Sequence, residues 1–299
     1  MTTNEPVRHH YIPQFILRKF CDDQGFLSYL DKESGRILQK EPKDIFVSRN
    51  LYRDEVNYPE DRMKIENAFS AYESEISKLI NERILKEKDV IISLDENESL
   101  KLFFALMGFR SKRVGDKFSI KNSDGSDIIH KLYEKNGDLT DFWKRNLGHL
   151  VNCRSFIQVN DRPDIDEAIK IFMLRDTFGY FGKHFALIES DESSGFVIGD
   201  AYPTVIYGVL PNGIREELYS IIPLSPDKAL LLICKEADYA PADAGRIRPL
   251  LLRPPCNIDG THIKIRTKKL FPEEVKFLNE SIFSASESGV AFRNDQLDR

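Results

Sequence analysis

The spacing of apolar residues along the chain changes character three times. After a polar start over residues 1–7, Tyr11 to Phe20 carries apolar side chains at helical spacing, with Phe15 or Ile16, Leu17 and Phe20 able to share one face. Pro13 suits the first turn of such a helix, where a missing N–H costs nothing. Two short β-like runs follow, from Gly25 to Leu30 and from Arg36 to Gln39. The polar loop Asp31 to Gly35 joins them, which predicts a hairpin. Lys43 to Arg53 is apolar enough to return to the same core.

From Asp61 to Lys88 the period becomes helical, with Ile65, Phe69, Tyr72, Ile76, Leu79 and Ile80 on one stripe. Glu66 and Glu73 are seven positions apart and so project from roughly the same side of that helix. Ser93-Leu94-Asp95-Glu96 has the pattern of a capping box and predicts a second helix running to Arg110. Further helices are expected around 126–135, 139–151 and 164–181, separated by loops rich in Gly, Asn, Asp and Ser.

At Lys183 the pattern turns to short apolar runs punctuated by turn residues: 185–188, 195–198, 204–209, 217–222 and 229–233. This favours an antiparallel sheet. Residues 240–262 look irregular, Pro272-Glu273-Glu274 opens a last helix through Val275, Leu278, Ile282 and Phe283, and the tail from 291 to 299 reads as loose.

Strands, then helices, then strands predict an α+β fold: a helical middle block packed with a mostly antiparallel sheet formed from N- and C-terminal segments. One domain is expected over 8–290. Within it fall the opening motif and hairpin (8–60), the helical block (61–182), a β-rich part (183–270) and the closing helix (272–290).

Composition narrows the picture. The chain has 299 residues, 41% hydrophobic and 30% charged, an ordinary globular balance. No apolar run reaches the ~20 residues of a membrane-spanning helix, and the first residues have no apolar stretch of a secretory signal. Cys21, Cys153, Cys234 and Cys256 are scattered without a CxxC pair. That argues against a zinc ribbon or disulfide framework and for a reducing, cytoplasmic compartment with inert, buried thiols. The net charge is −5, yet Arg246 to Lys269 holds seven basic residues and one acidic one. With the basic stretch Arg110 to Lys117, it is a candidate phosphate-binding surface for nucleic acid; a solvated face balanced by acidic helices is the alternative.

Candidate chemistry concentrates in Arg8-His9-His10-Tyr11-Ile12-Pro13-Gln14. A neutral imidazole is a metal ligand and a general base near neutral pH. Asp200, just after an apolar run, sits where a site carboxylate often projects, or else is a turn-former bonding its own backbone before Pro203. There is no Walker A motif, dinucleotide glycine fingerprint, His-Glu-x-x-His or Gly-x-Ser-x-Gly elbow, so no nucleotide cofactor is expected and Ser225 is read as part of a rigid Pro-Leu-Ser-Pro turn.

The motif Arg8-His9-His10-Tyr11-Ile12-Pro13-Gln14-Phe15-x-Leu17-x-x-Phe20 resembles a large, mostly bacterial family catalogued as domain of unknown function 4238. Phe46 to Tyr52, Ile65-Glu66 through Glu73, Phe103 to Arg110, Gly199 to Pro203, Pro223-Leu224-Ser225-Pro226 and Leu278-Asn279 follow in the family's order, so the resemblance spans roughly 8 to 290. The chain departs from it at 199–203, where Gly199 replaces a serine and the turn is one residue longer. The family implies no activity.

His-His-x-x-Pro also resembles the opening of HNH-type nucleases. Such a frame needs a further Asn and His; Asn50 is available, and the next histidine is His130.

Two readings follow. In the first, the chain is a metal-dependent nucleic-acid hydrolase, a toxin or phage-defence effector. His9, His10, Glu73 and Asp200 carry catalysis, and His9, His10 and Asp200 hold Mg²⁺ or Mn²⁺. Arg8, Gln14 and Arg110 bind substrate. In the second, the chain is a non-catalytic binding or regulatory module. There the same residues form a buried network, one histidine capping the helix or bonding a buried carboxylate while Arg8 pairs with Glu66 or Glu73.

Overall fold

The computed structural model describes residues 8–119, 138–171, 173, 184–191, 194–209, 215–233 and 255–293. The helix expected at 126–135, half of that expected at 164–181, His130, Cys234, the basic residues Arg246, Arg248 and Arg253, and the tail after 293 lie outside the described residues.

The opening motif forms a strand before it forms a helix. β1 (Arg8–His10) pairs antiparallel with β4 (Val47–Arg49), His9 facing Ser48. Alternation along β1 leaves Arg8 exposed, buries His9 and half-buries His10. Both flanks of β4 have left-handed backbone: φ is 51° at Phe46 and 53° at Asn50. Asparagine tolerates this readily, whereas a bulky residue does so only when its surroundings hold it. Phe46 is held edge-on between Tyr11 and Tyr29.

Pro13 is the N-cap of α1 (Gln14–Leu17), accepting from Ile16 and Leu17 N–H. The helix lasts one turn and tightens into 3₁₀ geometry over Arg18–Phe20, shorter than the expected Tyr11–Phe20 span. Its inward face is Ile16, Leu17 and Phe20.

The hairpin is β2 (Leu27–Asp31) with β3 (Ile37–Lys40). Its partner across β2 is a strand that the sequence reading did not expect, as are all three in a separate small sheet. β5 is Val90–Ser93, followed by β6 (His184–Glu189), β7 (Ile198–Gly199), β8 (Thr204–Val209), β9 (Arg215–Pro223), β10 (Lys228–Ile233), β11 (Cys256–Asn257), β12 (His262–Ile265), β13 (Thr267–Lys269) and β14 (Gly289–Phe292). One sheet has the order β3-β2-β14-β7, joining the N-terminal hairpin to the C-terminal end. A second, β13-β6-β10-β9-β8, is antiparallel except for β13 against β6. A third is β11-β12-β5. The 195–198 run therefore leaves the main sheet: only Ile198 and Gly199 are strand, and they pair with β14. The irregular stretch expected at 240–262 contains β11 and the start of β12.

The helices are α2 (Lys64–Leu79, closing in a π turn over Ile80–Ile84), α3 (Leu94–Phe109), α4 (Lys112–Ser119), α5 (Leu139–Leu150), α6 (Phe156–Asp161) and α7 (Pro272–Ala285). α2 buries Ile65, Phe69, Tyr72 and Ile76, four members of the predicted stripe. The capping box at α3 is complete: Glu96 N–H donates to Ser93 Oγ at 3.1 Å, and Ser93 N–H to Glu96 at 2.7 Å. α3 buries residues on all sides, from Leu100 through Phe109, and so is a central helix.

The main sheet is covered on both faces. Phe185, Leu187, Leu230 and Leu232 join the core with α3, while Ile188, Leu231 and Ile233 pack with Val275, Leu278 and Ile282 of α7. This explains why Ala229 to Ile233 is a continuous apolar run rather than an alternating one. The architecture is α+β. Among the described residues no helix is long and apolar enough to cross a membrane.

Candidate functional site: the Arg110 centre

α3 delivers Arg110 to the middle of the helical block, at the helix's C-terminal cap. Its side chain is 2% exposed, and its Nη1 donates to Glu73 Oε1 at 2.6 Å. Nη2 donates to the carbonyl of His10 in a short bond. The guanidinium lies 4.1 Å from the centre of the Phe69 ring and 5.5 Å from that of Tyr52. The aromatic faces thus supply the rest of its surroundings. Burial opposes the charge, but Tyr52, Glu73 and Glu66 more than offset it and hold the Arg110 pKa above its ordinary value.

The seven-residue spacing of Glu66 and Glu73 does place both near Arg110. Glu73 takes the ion pair. Glu66 has a buried Oε2 without a hydrogen-bond partner. Burial pushes its carboxyl up to about 7, with Arg110 pulling down and Glu73 pushing up.

The two histidines do different work. His9 has no exposed surface, and its Nδ1 accepts the backbone N–H of Tyr52 at 2.8 Å. In the neutral ring the proton then sits on Nε2. Its ring stacks on Tyr52 at 5.6 Å between centroids. Tyr52 in turn donates its hydroxyl to the Arg110 carbonyl at 2.8 Å. His9, Tyr52, Arg110 and the His10 carbonyl therefore form one closed circuit joining β1, the 50–53 turn and α3. His10 is half-buried, and its Nδ1 is buried without a partner. Burial, with Arg110 and Arg8 beside it, lowers its pKa to about 4, so the ring is neutral at pH 7.

The other predicted residues lie elsewhere. Arg8 does not pair with Glu66 or Glu73: it projects to solvent and meets Asp44 at 2.9 Å, because Arg110 occupies the place at Glu73. Gln14 accepts from Arg18, one turn along, at 3.2 Å. Asp200 does not bond its own turn. It accepts from Glu287 N–H at 2.8 Å, Ser288 N–H at 2.6 Å and the Ser288 hydroxyl, locking the connection from α7 to β14. At Gly199 an added Cβ would overlap Ser286 Oγ, so the end of β7 runs close against α7. Asn50 sits at the left-handed turn after β4.

Ser225 behaves as expected, its Oγ accepting from Asp227 and Lys228 N–H in the turn after β9. Of the thiols, Cys153 is buried and Cys21 half-buried, but Cys256 is exposed, because β11 is a sheet edge. Among the described residues no three His, Cys, Asp or Glu side chains are grouped to hold a metal ion. The basic stretches are partly neutralised: Lys112 pairs with Asp116, Lys264 with Asp89 and Lys268 with Glu274.

Sequence reasoning gave no role to Tyr52 or Phe69, although both lie in stretches it singled out. It also passed over Lys228, a buried lysine whose Nζ donates to the carbonyls of Ile84 at 3.1 Å and Glu87 at 2.8 Å and pairs with Glu189 at 2.9 Å.

No curated protein and no solved structure matches the chain. The model of one family, described as protein of unknown function (DUF4238), matches residues 8–296, from the β1 strand that carries His9 to beyond β14. The chain belongs to the DUF4238 family.

Proposed function

We propose that the chain is a non-catalytic binding or regulatory module, in which the opening motif is a lock for the fold. One observation carries this reading: the Arg110 guanidinium is buried, with both terminal nitrogens committed, to Glu73 and to the His10 carbonyl. A substrate phosphate would have to displace internal partners from a group that has almost no exposed surface. His9 and Asp200 are committed in the same way, to Tyr52 N–H and to the 287–288 turn. A cytoplasmic setting, read from the scattered cysteines, belongs to the same proposal.

A specific observation favours the second reading, a metal-dependent nucleic-acid hydrolase acting as a toxin or phage-defence effector. His10 Nδ1 and Glu66 Oε2 are buried polar atoms without partners, and a carboxyl held near neutrality is suited to general acid–base work. In that reading His10 and Glu66 serve as acid–base groups, and the basic stretches Lys112 to Lys117 and Arg246 to Lys269 bind the nucleic acid.

The test uses purified wild type, His9→Ala and His10→Ala with mixed DNA and RNA in Mg²⁺, Mn²⁺ or EDTA. The module reading expects no metal-dependent cleavage from any of them and a large loss of thermal stability in His9→Ala. Cleavage that needs metal and disappears in a well-folded His10→Ala would overturn it in favour of the hydrolase.

A further inference from the structure

Beside the Arg110 centre, a cleft of about 90 Å³ opens between the start of α4 and the turn from α7 to β14. This is several times the ~10–15 Å³ that a single water needs. Its charged lining is bipolar. Lys112 and Arg113 come from α4; Asp200 and Glu287 come from the end of β7 and the turn after α7. Tyr11, from the opening motif, Ser288 and the small side chains Ala201 and Ala285 complete it.

The partners of these groups differ. Lys112 is engaged with Asp116. Arg113 and Glu287 are exposed, and neither side chain makes an ion pair with a described residue. Asp200 accepts three hydrogen bonds from the turn, and a carboxylate has about four lone-pair sites, so it retains capacity for one more donor. Burial, with Asp200 nearby, raises the pKa of Tyr11 and keeps its hydroxyl protonated. An inorganic anion would match the two cations but face two carboxylates; a metal ion would face the reverse.

We infer that this cleft binds a small free α-amino acid as its zwitterion. The ligand ammonium meets Asp200 and Glu287. The ligand carboxylate meets the Arg113 guanidinium, whose planar fork matches a carboxylate. The alanine methyl groups limit the ligand side chain to the size of glycine or alanine. This deepens the module reading and rests on it, naming a ligand class for a module that senses rather than cleaves.

The experiment is isothermal titration and thermal shift on the full chain with glycine and L-alanine. N-acetyl-L-alanine removes the ammonium, L-alaninamide removes the carboxylate, and inorganic phosphate tests for a simple anion site. Saturable binding of glycine or L-alanine is expected, weakened at least about tenfold by either blocking group. Arg113→Ala and Glu287→Gln should each weaken binding by a similar factor while leaving the ligand-free melting temperature unchanged, since both side chains are exposed. No binding of either amino acid, equal binding of the blocked forms, or binding of phosphate alone would overturn the inference. A chain that binds no amino acid and cleaves no nucleic acid loses the ligand and keeps the module; metal-dependent cleavage removes the module itself.

Discussion

Arg110 and Glu73 meet at 2.6 Å with unequal exposure, 2% of the arginine side chain against 20% of the glutamate's. The arginine gave up its hydration almost completely, and the glutamate kept part of its own. Removing one partner of a buried pair leaves the other uncompensated, which costs about 3–5 kcal/mol. Arg110→Ala is expected to fall in that range by urea denaturation. Arg110→Lys keeps a charge but loses the two-pronged geometry and the stacking on Phe69, so it should recover only part of the loss. Glu73→Gln keeps an acceptor for Nη1 and should cost less than either. A neutral effect of Arg110→Ala would show that the centre does not lock the fold.

Some of this arrangement was legible in the sequence and some was not. The helical stripe of α2 and the capping box of α3 are local patterns whose partners lie within a few residues, so the sequence displayed them directly. Glu66 and Glu73 were placed together by helical geometry alone. Their cation was not, because Arg110 is 37 positions from Glu73 and 100 from His10. Strand alternation holds an unused clue: Arg8, His9 and His10 in a β-strand alternate between solvent and core, which puts His9 inside and Arg8 outside. The expected helix began only at Tyr11, and the three residues before it are too short a run to display a strand period by themselves. β14 was missed because Gly289–Phe292 is a four-residue strand beside a helix, and its partners β2 and β7 are distant in sequence.

His9 and Tyr52 give a second prediction. His9→Ala would leave the buried Tyr52 N–H without its 2.8 Å acceptor and would also remove the stacked ring. An unsatisfied buried donor costs about 1–3 kcal/mol, and the lost packing adds to it. Tyr52→Phe removes only the 2.8 Å bond to the Arg110 carbonyl, so its cost should lie near the low end of the same range. Equilibrium unfolding of the two single variants and the double variant measures whether the circuit acts as a unit. A coupling energy near zero would mean that the two bonds are independent.

The pH dependence of stability should separate Glu66 from His10. Glu66 has an ordinary value of 4.5 and a folded value of about 7. Its contribution is complete below the unfolded value and is lost as pH rises through the folded one. His10 runs the other way: its folded value is about 4 against 6.5. The unfolded chain therefore takes up a proton first as pH falls from 6.5 toward 4, and stability falls with it. Glu66→Gln should accordingly gain on wild type as pH rises from about 4.5 to 7, by at most roughly 3 kcal/mol. His10→Gln should gain on wild type as pH falls from about 6.5 to 4. Denaturation curves for the three proteins across pH 4 to 8 check this, and parallel curves would contradict both assignments.

Asp200 holds two backbone amides, Glu287 at 2.8 Å and Ser288 at 2.6 Å, at the point where α7 hands the chain to β14. Bonds to a charged acceptor contribute about 1.5–3 kcal/mol each at most, and partial exposure of this turn reduces that. Asp200→Ala is expected to cost about 1–3 kcal/mol. Amide exchange should quicken first at Glu287 and Ser288 and next in β14, the strand that joins β2 to β7. Unchanged exchange at those amides would show that the turn holds itself.

Lys228 offers the last prediction, because its ammonium binds carbonyls at the end of the π turn after α2 and just beyond it. It donates to Ile84 at 3.1 Å and Glu87 at 2.8 Å while pairing with Glu189 at 2.9 Å. A cation at a helix C-terminus is favourable through the helix dipole as well as through the bonds themselves. Lys228→Met keeps the length and apolar stem of the side chain but removes all three bonds, and should cost about 1–3 kcal/mol. Lys228→Arg keeps the charge with a wider head that the same site was not shaped to hold, so it should restore only part of that. The position ties β10 of the main sheet to the end of α2, the helix that carries Glu66 and Glu73. If that tie transmits, Lys228→Met will also shift the pH at which Glu66 titrates, read by carboxyl NMR; an unmoved titration alongside lost stability would confine Lys228 to local capping.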